Sequence, residues 1–354
     1  MGDTKVDLRG LTSADLIDFL AGLGKERFRS KQLMSWMYKK NVSDFSLMTD
    51  LSKDLRAELE QRAFISEWTP ENEEISADGT RKFLFRLADG ESIETVLIPM
   101  ESGRFTLCIS SQVGCAMQCD FCLTGRYGLK RNLTTAEIVN QVCAIRRNHH
   151  IHNIVVMGMG EPLQNLDNMV RALEIFYDTS GMDYSSRKIT LSTCGLVPQM
   201  HELARRINVN LAVSLNASSD EVRNRLMPVN RRYPLSELIQ ACRDFPLHGK
   251  RRITFEYILI RDLNDSIADA KRLVKLLHGV KAKVNLIPFN EHEGSEYRSP
   301  AEENINAFQS YLLQRNIVAI RRASKGQDIS SACGQLKGKL ERDTHNNMSE
   351  ERTD

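Results

Sequence analysis

Three cysteines stand close together in the first half of the sequence, at a spacing suited to metal binding. Cys115, Cys119 and Cys122 are separated by three and two residues, on a loop that follows an apolar strand. Thiolates at these intervals can turn toward one centre, which favours metal or redox chemistry over a disulfide framework. A closed structural zinc site needs four ligands, and no second Cys-x-x-Cys or histidine pair has zinc-finger spacing. Three thiolates on a cubane iron–sulfur cluster would leave its fourth iron open to a chelating ligand. Zinc binding and a chance grouping of redox cysteines are the alternatives.

A glycine-rich turn provides a second candidate site. Residues 157–162 end an apolar strand and include Gly160 and Glu161. Glycine lets the backbone approach a ligand closely, and the glutamate offers an acceptor to an ammonium group. The segment therefore indicates a ligand-binding turn, with a plain turn as the alternative.

The elements that must position these residues alternate between strands and amphipathic helices from about residue 104. Such alternation predicts an α/β fold with a parallel sheet. About seven strands are expected, fewer than in a complete eightfold barrel, so a partial (βα)6 barrel of the TIM type fits best. The predicted strands cover residues 105–110, 153–157, 188–192, 208–214, 252–260, 283–288 and 317–321.

Four regions are predicted along the chain. Apolar residues recur every three or four positions in segments 13–20, 31–38 and 52–63, which predicts a small helical accessory domain over residues 1–64 that contacts RNA. Two strands around a turn at 88–90 predict a β-hairpin extension within residues 65–103. The barrel is expected over 104–340, followed by a polar, disordered tail over 341–354.

Composition excludes several classes of protein. Of the 354 residues, 41% are hydrophobic and 27% charged, which argues against disorder or a fibrous repeat. No apolar run approaches the roughly 20 residues of a membrane-spanning helix, and the N-terminus lacks the apolar region of a secretory signal. We therefore expect a cytoplasmic protein with no membrane association, and separately we expect a monomer.

The net charge of +2 conceals a series of basic pairs. Such pairs could contact phosphate, although solvated charges at helix ends and in loops are an equally good interpretation. The pairs are Lys130-Arg131, Arg146-Arg147, Arg205-Arg206, Arg231-Arg232, Lys250-Arg251-Arg252 and Arg321-Arg322.

The order Cys-x-x-x-Cys-x-aromatic-Cys resembles the signature of the radical S-adenosylmethionine (SAM) superfamily. That resemblance implies a partial barrel with one [4Fe–4S] cluster on the loop after its first strand, with the amino and carboxylate groups of SAM on the open iron. It also implies that Phe121 lies near the adenine of SAM, and that Gly160 and Glu161 bind its amino group.

Longer segments resemble one family within this superfamily. Residues 105–115, ending in the first cluster cysteine, and residues 332–336, around Cys333, are similar to the RlmN/Cfr family of RNA methyltransferases. The RlmN members of this family make 2-methyladenosine in 23S ribosomal RNA, at the peptidyl transferase centre, and in many bacteria in transfer RNA next to the anticodon. Their chemistry uses two SAM molecules per turnover in a ping-pong sequence and an external electron donor such as flavodoxin or ferredoxin.

The resemblance assigns roles to residues outside the cluster motif. Cys333 takes a methyl group from one SAM molecule, and a radical made from a second converts that methyl group into the carbon that adds to adenine. Glu94 accepts the proton at carbon 2, and Cys108 attacks the Cys333 sulfur, which releases RNA and leaves a transient disulfide. Without the resemblance, Glu94 would be an ordinary strand residue and both cysteines buried apolar thiols. Further SAM contacts carry over as Ser192, Ser214, Leu215, Asn216 and Asn290, although the family commonly has histidine where this chain has Asn216.

Two rival functions are distinguishable. Cfr-type enzymes modify carbon 8 of the same ribosomal adenosine with similar cysteines, but residues 160–162 and 285–290 resemble the RlmN versions. A noncatalytic iron–sulfur or zinc protein that binds RNA would need neither an open iron nor the motifs around Cys108 and Cys333. Methylation at carbon 2 is therefore the predicted function.

Overall fold

Helices form most of the N-terminal part of the chain. The computed structural model describes residues 5–101, 103–292 and 294–336, so the predicted tail at 341–354 lies outside the described residues. The second predicted helix, over 31–38, changes to a π-helix at Ser35–Lys39. In chain order the elements are β1 (Val6–Asp7), α1 (Ser13–Gly22), α2 (Arg29–Met34), α3 (Lys53–Arg62) and β2 (Ala63–Phe64).

A buried arginine attaches this N-terminal part to the rest of the molecule. Arg9 is fully buried, and its Nη1 atom donates to the carbonyl oxygen of Met37 at 2.9 Å. The same nitrogen lies 3.5 Å from the sulfur of Cys143, and the Nε atom donates to Ser66 O at 3.1 Å. Because Cys143 belongs to the barrel, one side chain joins segments that are far apart in sequence.

Three antiparallel strands follow the helices: β3 (Asn72–Ile75), β4 (Arg81–Arg86) and β5 (Ser92–Pro99). β4 and β5 form the predicted hairpin, whereas β3 is an additional strand that pairs with β4. β5 also pairs antiparallel with β6 (Phe105–Ile109). The hairpin is therefore continuous with the main sheet.

Seven parallel strands form the barrel. Their order in the sheet follows their order in the chain, so each strand lies beside its predecessor. Helical connections separate consecutive strands, which confirms the predicted partial barrel. After β6 the elements are β7 (Gln112–Gly114), α4 (Leu123–Arg126), β8 (Leu129–Asn132), α5 (Thr135–Arg146), β9 (Ile151–Val156), α6 (Leu166–Tyr177), β10 (Ile189–Thr193), α7 (Val197–Arg206), β11 (Asn210–Ser214), α8 (Asp220–Leu226), α9 (Leu235–Asp244), β12 (Ile253–Leu259), α10 (Ile267–Leu276), β13 (Ala282–Pro288), α11 (Glu302–Gln314) and β14 (Val318–Arg321).

Sequence explains where these elements start and how deeply they are buried. α5 begins at a capping box in which Glu137 N donates to Thr134 Oγ1 and Thr134 N donates to the Glu137 carboxylate. Every residue of β12 is buried, as expected for a parallel strand covered on both faces.

The segment after β14 crosses to the antiparallel hairpin. We name residues 324–336 the Cys333 loop. Ser76 Oγ donates to Asp328 at 2.6 Å, and Gly326 N donates to Asp78 at 2.9 Å. Polar contacts from side chains therefore connect the last part of the described chain to the turn between β3 and β4.

In the described part of the chain, no helix has both the length and the apolar character needed to cross a membrane.

Candidate active site

The largest cluster of predicted site residues lines one cavity at the carboxyl ends of the parallel strands. The cavity has about 930 Å³ of empty space, including its open mouth. Ligands of α/β proteins commonly bind at this end of the strands. The predicted residues that line it are Cys115, Cys119, Phe121, Cys122, Gly160, Glu161, Ser192, Ser214, Asn216 and Cys333.

The three motif cysteines reach this cavity on the loop between β7 and β8. Gly114 has a φ of +74°, and a Cβ atom there would stand 1.9 Å from Gly128 O, so the start of the loop requires glycine. Cys115 N donates to the same carbonyl oxygen at 2.9 Å, and Cys122 N donates to Cys119 O at 3.0 Å. The loop backbone thus fixes where each thiol enters the cavity.

The donor set consists of three thiols on one loop, a number that suits an iron–sulfur cluster with one open iron. Burial raises the pKa of Cys115 to about 12 and also raises the pKa of Cys119 and Cys122. Such thiols stay protonated at neutral pH unless a bound metal deprotonates them. In a cubane cluster with an open iron, each of the other three irons takes one thiolate, so the three thiolates surround a group larger than a single metal ion.

The glycine turn after β9 is shaped by close contacts. Gly160 has a φ of +101°, and a Cβ atom there would lie 2.5 Å from the Gln112 side chain. Glu161 is buried, and its carboxylate accepts hydrogen bonds from Leu163 N at 3.0 Å and Cys194 N at 2.7 Å. Burial raises the pKa of Glu161, while the bond from Cys194 opposes the rise. The turn thus presents a buried carboxylate to the cavity.

The predicted residues at the ends of β10 and β11 have different surroundings. Ser192 and Ser214 line the cavity, but Leu215 is fully buried and does not. Asn216 has a φ of +57°, and its Oδ1 atom accepts from Ile258 N at 2.9 Å. That bond gives the Asn216 side chain a partner within the protein, and the residue also lines the cavity.

Cys108 and Cys333 share a second, smaller cavity beside the first. Cys108 is buried on β6, whereas Cys333 is exposed, and all eight cysteines are free thiols. Burial raises the pKa of Cys108 to about 12, with a further increase from Cys333. Cys333, Met157 and Arg322 line both cavities. Cys333 therefore stands where the two cavities meet.

Asn290 and Glu94 line neither of these cavities. Asn290 Nδ2 donates to Cys333 O at 3.4 Å, and its Oδ1 accepts from Gln327 at 3.0 Å, so it contacts the Cys333 loop. Glu94 is buried on β5, and its carboxylate forms an ion pair with Lys82 at 3.4 Å.

Two charged residues in the cavity wall, Glu256 and Arg322, were not predicted from the sequence to belong to the site. Glu256, on β12, is 6% exposed; Asn285 donates to its Oε1 at 2.9 Å, and its Oε2 has no hydrogen-bond partner among the described residues. Cys333, Glu256 and Cys108 raise the pKa of Arg322, which lies 4.0 Å from the sulfur of Met157. A lone carboxylate within the apolar run of β12 was the one available signal for Glu256.

Comparisons with known proteins agree with this geometry. Residues 6–65 match the ribosomal RNA large subunit methyltransferase N-terminal domain, and residues 109–274 match the radical SAM superfamily. The chain is 69% identical to the dual-specificity RNA methyltransferase RlmN of Syntrophotalea carbinolica, over 96% of this chain and 91% of that protein. It is 59% identical to the protein of the same name from Geobacter sulfurreducens, over 96% and 94%.

A solved structure shares the same architecture. The crystal structure of a radical SAM methyltransferase from Sphaerobacter thermophilus superposes with a TM-score of 0.87 at 47% identity, covering 94% of this chain and 99% of that one. Because these matches cover 94% to 96% of this chain, they include both the N-terminal helices and the barrel. The chain therefore belongs to the RlmN family of dual-specificity RNA methyltransferases, within the radical SAM superfamily.

Proposed function

We propose that this protein methylates carbon 2 of adenosine in 23S ribosomal RNA and in transfer RNA, with Cys333 as the carrier of the methyl group. The observation that carries the proposal is the position of Cys333, which lines both the cavity of the three motif cysteines and the cavity of Cys108. A thiol at this junction can meet a methyl donor on one side and a resolving thiol on the other. The name borne by the relatives supports RNA as the substrate.

Cofactor binding is assigned to the larger cavity. Cys115, Cys119 and Cys122 would hold one [4Fe–4S] cluster, and SAM would contact the lining residues Phe121, Gly160, Glu161, Ser192, Ser214 and Asn216. Leu215 and Asn290, which the family resemblance also assigns to SAM, do not line this cavity. When bound, the cluster and SAM supply a methyl group and, from a second SAM molecule, a carbon-centred radical that removes hydrogen. Glu161 is suited to the amino group of SAM because a buried carboxylate favours a cationic partner.

The chain's own residues account for methyl transfer and release. The Cys333 thiolate attacks the methyl carbon of the first SAM molecule, so that S-adenosylhomocysteine leaves and Cys333 becomes S-methylcysteine. After that carbon has joined adenine, Glu94 accepts the proton from carbon 2. The Cys108 thiolate then attacks the Cys333 sulfur, so that a sulfur–sulfur bond forms as the carbon–sulfur bond breaks. The electron pair of the broken bond stays on the RNA carbon, which takes up a proton to become the methyl group, and an external thiol reductant restores the two cysteines. The shared cavity of the two cysteines supports this pairing.

We infer the remaining features of the reaction from the family resemblance. Two SAM molecules are used per turnover, and an external electron donor such as flavodoxin or ferredoxin reduces the cluster. The enzyme acts as a monomer in the cytoplasm, and the N-terminal helices contribute to RNA binding.

Nucleoside analysis tests the proposal directly. Purified enzyme with a reconstituted cluster, SAM, a reductant and RNA should yield 2-methyladenosine under anaerobic conditions, detected by mass spectrometry. Ribosomal and transfer RNA fragments are assayed separately. Formation of 8-methyladenosine instead would assign the protein to the Cfr reaction, and RNA binding without methylation would indicate a noncatalytic protein.

The carrier role of Cys333 has its own test. Cys333→Ala should abolish methylation of both protein and RNA while the iron content of the enzyme is unchanged, because the substituted thiol is not one of the three proposed cluster ligands. Cys242→Ala, which removes a buried thiol on α9, is the matched control and should retain both activities. RNA methylation by the Cys333→Ala enzyme would contradict the mechanism.

A further inference from the structure

Lys82 is a buried cation with three acceptor oxygens around it. The residue lies on β4 and is 4% exposed. Its ammonium group is 3.0 Å from Glu74 Oε1 and 3.4 Å from Glu94 Oε1, and it donates to Ile329 O at 2.8 Å. An ammonium has three donors, and a buried charge persists only when it is paired. All three donors of Lys82 therefore have a partner.

The position of Lys82 links two parts of the proposed machinery. In the sheet, Lys82 stands opposite Val96, while Glu94 stands opposite Leu84. Because side chains alternate along a strand, Lys82 lies on the same face as Glu94 and Val96, and Val96 lines the cavity of Cys108 and Cys333. Its third contact, Ile329, belongs to the Cys333 loop.

We propose that Lys82 is a positioning residue for the release of RNA, holding the Glu94 carboxylate ionised and at a fixed place relative to the Cys333 loop. The proposal rests on the proposed function, since it concerns the step in which Glu94 accepts the carbon 2 proton. A buried carboxylate without a neighbouring cation favours its protonated form, and a protonated Glu94 cannot act as the base. Burial of both side chains makes the effect of the cation strong, because solvent screens it little.

The two half-reactions separate this role from general support of the fold. Methyl transfer from SAM to Cys333 does not use Glu94, whereas release of RNA does. Lys82→Gln keeps a hydrogen-bond donor but loses the charge. We expect this variant to methylate Cys333 at the wild-type rate, to release methylated RNA about 100-fold more slowly, and to accumulate protein covalently joined to RNA.

Two further variants complete the experiment. Lys82→Arg keeps the charge with a different shape and should slow release by about tenfold. Arg81→Gln removes a neighbouring cation that is paired with Glu73 on the opposite face of the strand, and it should leave both half-reactions unchanged. Cys333 methylation is followed by mass spectrometry of the intact protein, and the RNA–protein species by gel electrophoresis.

The outcomes are distinct. Wild-type release rates in Lys82→Gln, or equal losses in both half-reactions, would overturn the role of Lys82. If Lys82→Gln does not fold, as judged by circular dichroism, slowed release by Lys82→Arg with intact Cys333 methylation supports the role, and unchanged release refutes it. Failure of the wild-type enzyme to methylate Cys333 would instead refute the proposed function.

Discussion

Gly160 is a residue at which backbone geometry and proposed ligand binding coincide. Alanine there would combine a left-handed φ with a Cβ atom 2.5 Å from the Gln112 side chain. We expect Gly160→Ala to displace the turn and weaken SAM binding by at least about tenfold, equivalent to about 1.4 kcal/mol. Titration calorimetry of cluster-loaded enzyme with SAM provides the measurement.

The control for Gly160 is a glycine with similar torsion but open surroundings. Gly279 has a φ of +79°, and a Cβ atom there would meet no heavy atom within 4 Å beyond its chain neighbours. Gly279→Ala should lose about 1 kcal/mol of stability from backbone strain while SAM affinity is unchanged. Equal SAM affinity in both variants would show that steric contact at Gly160 does not shape the binding site.

Among elements, the Cys333 loop depends on the ionisation of Asp78. Burial opposes ionisation of this carboxyl group, but hydrogen bonds from Thr80, Gly326 and Ser76 outweigh that effect and lower its pKa to about 2. A carboxylate with a lowered pKa stabilises the folded state above the pKa of the unfolded chain, near 4. That stabilisation is lost as the pH falls through about 2.

Asp78→Ala should therefore have a pH-dependent cost. The difference in unfolding free energy between the wild type and this variant is expected to be constant from pH 8 to about 5 and to shrink as the pH falls from about 4 toward 2. Urea unfolding followed by circular dichroism measures it. Asp18→Ala on the exposed face of α1 is the control, and a similar pH dependence there would contradict the assignment to Asp78.

The elements also show what the sequence could and could not reveal. Apolar strands and the cysteine loop were predictable because periodicity and residue spacing are local properties. β3 was not, because its residues, Asn-Glu-Glu-Ile, are mostly exposed and show no alternation. Lys82, on β4, and Arg322, directly after β14, looked like ordinary charged residues, since their partners Ile329 and Cys108 are more than 200 positions distant in sequence. The basic pairs were ambiguous because the sequence does not show what each side chain contacts. Arg322 lines the cavity, while its neighbour Arg321 forms an ion pair with Glu302.

At the scale of the whole molecule, Arg9 joins the N-terminal helices to the barrel. Arg9→Met removes the N–H groups that donate to the carbonyl oxygens of Met37 and Ser66. Both oxygens then lose a hydrogen bond inside the protein. We expect the free energy of unfolding to fall by about 3 kcal/mol. Urea unfolding measures the change, with Arg205→Met at an exposed position on α7 as the control, expected within about 0.5 kcal/mol of wild type. A comparable loss in both variants would argue against Arg9 as the link.

The contacts between the Cys333 loop and the hairpin have a consequence for when the enzyme becomes complete. Ser76 and Asp328 are 252 residues apart, and Lys82 and Ile329 are 247 residues apart. Contacts at such separations carry a large loop-closure entropy until the intervening barrel has folded, and domains form in order from the N-terminus during synthesis. We expect Cys333, the proposed methyl carrier, to reach the cofactor cavity only after the intervening barrel has folded. The complete site is thus expected to form late in the folding of each molecule.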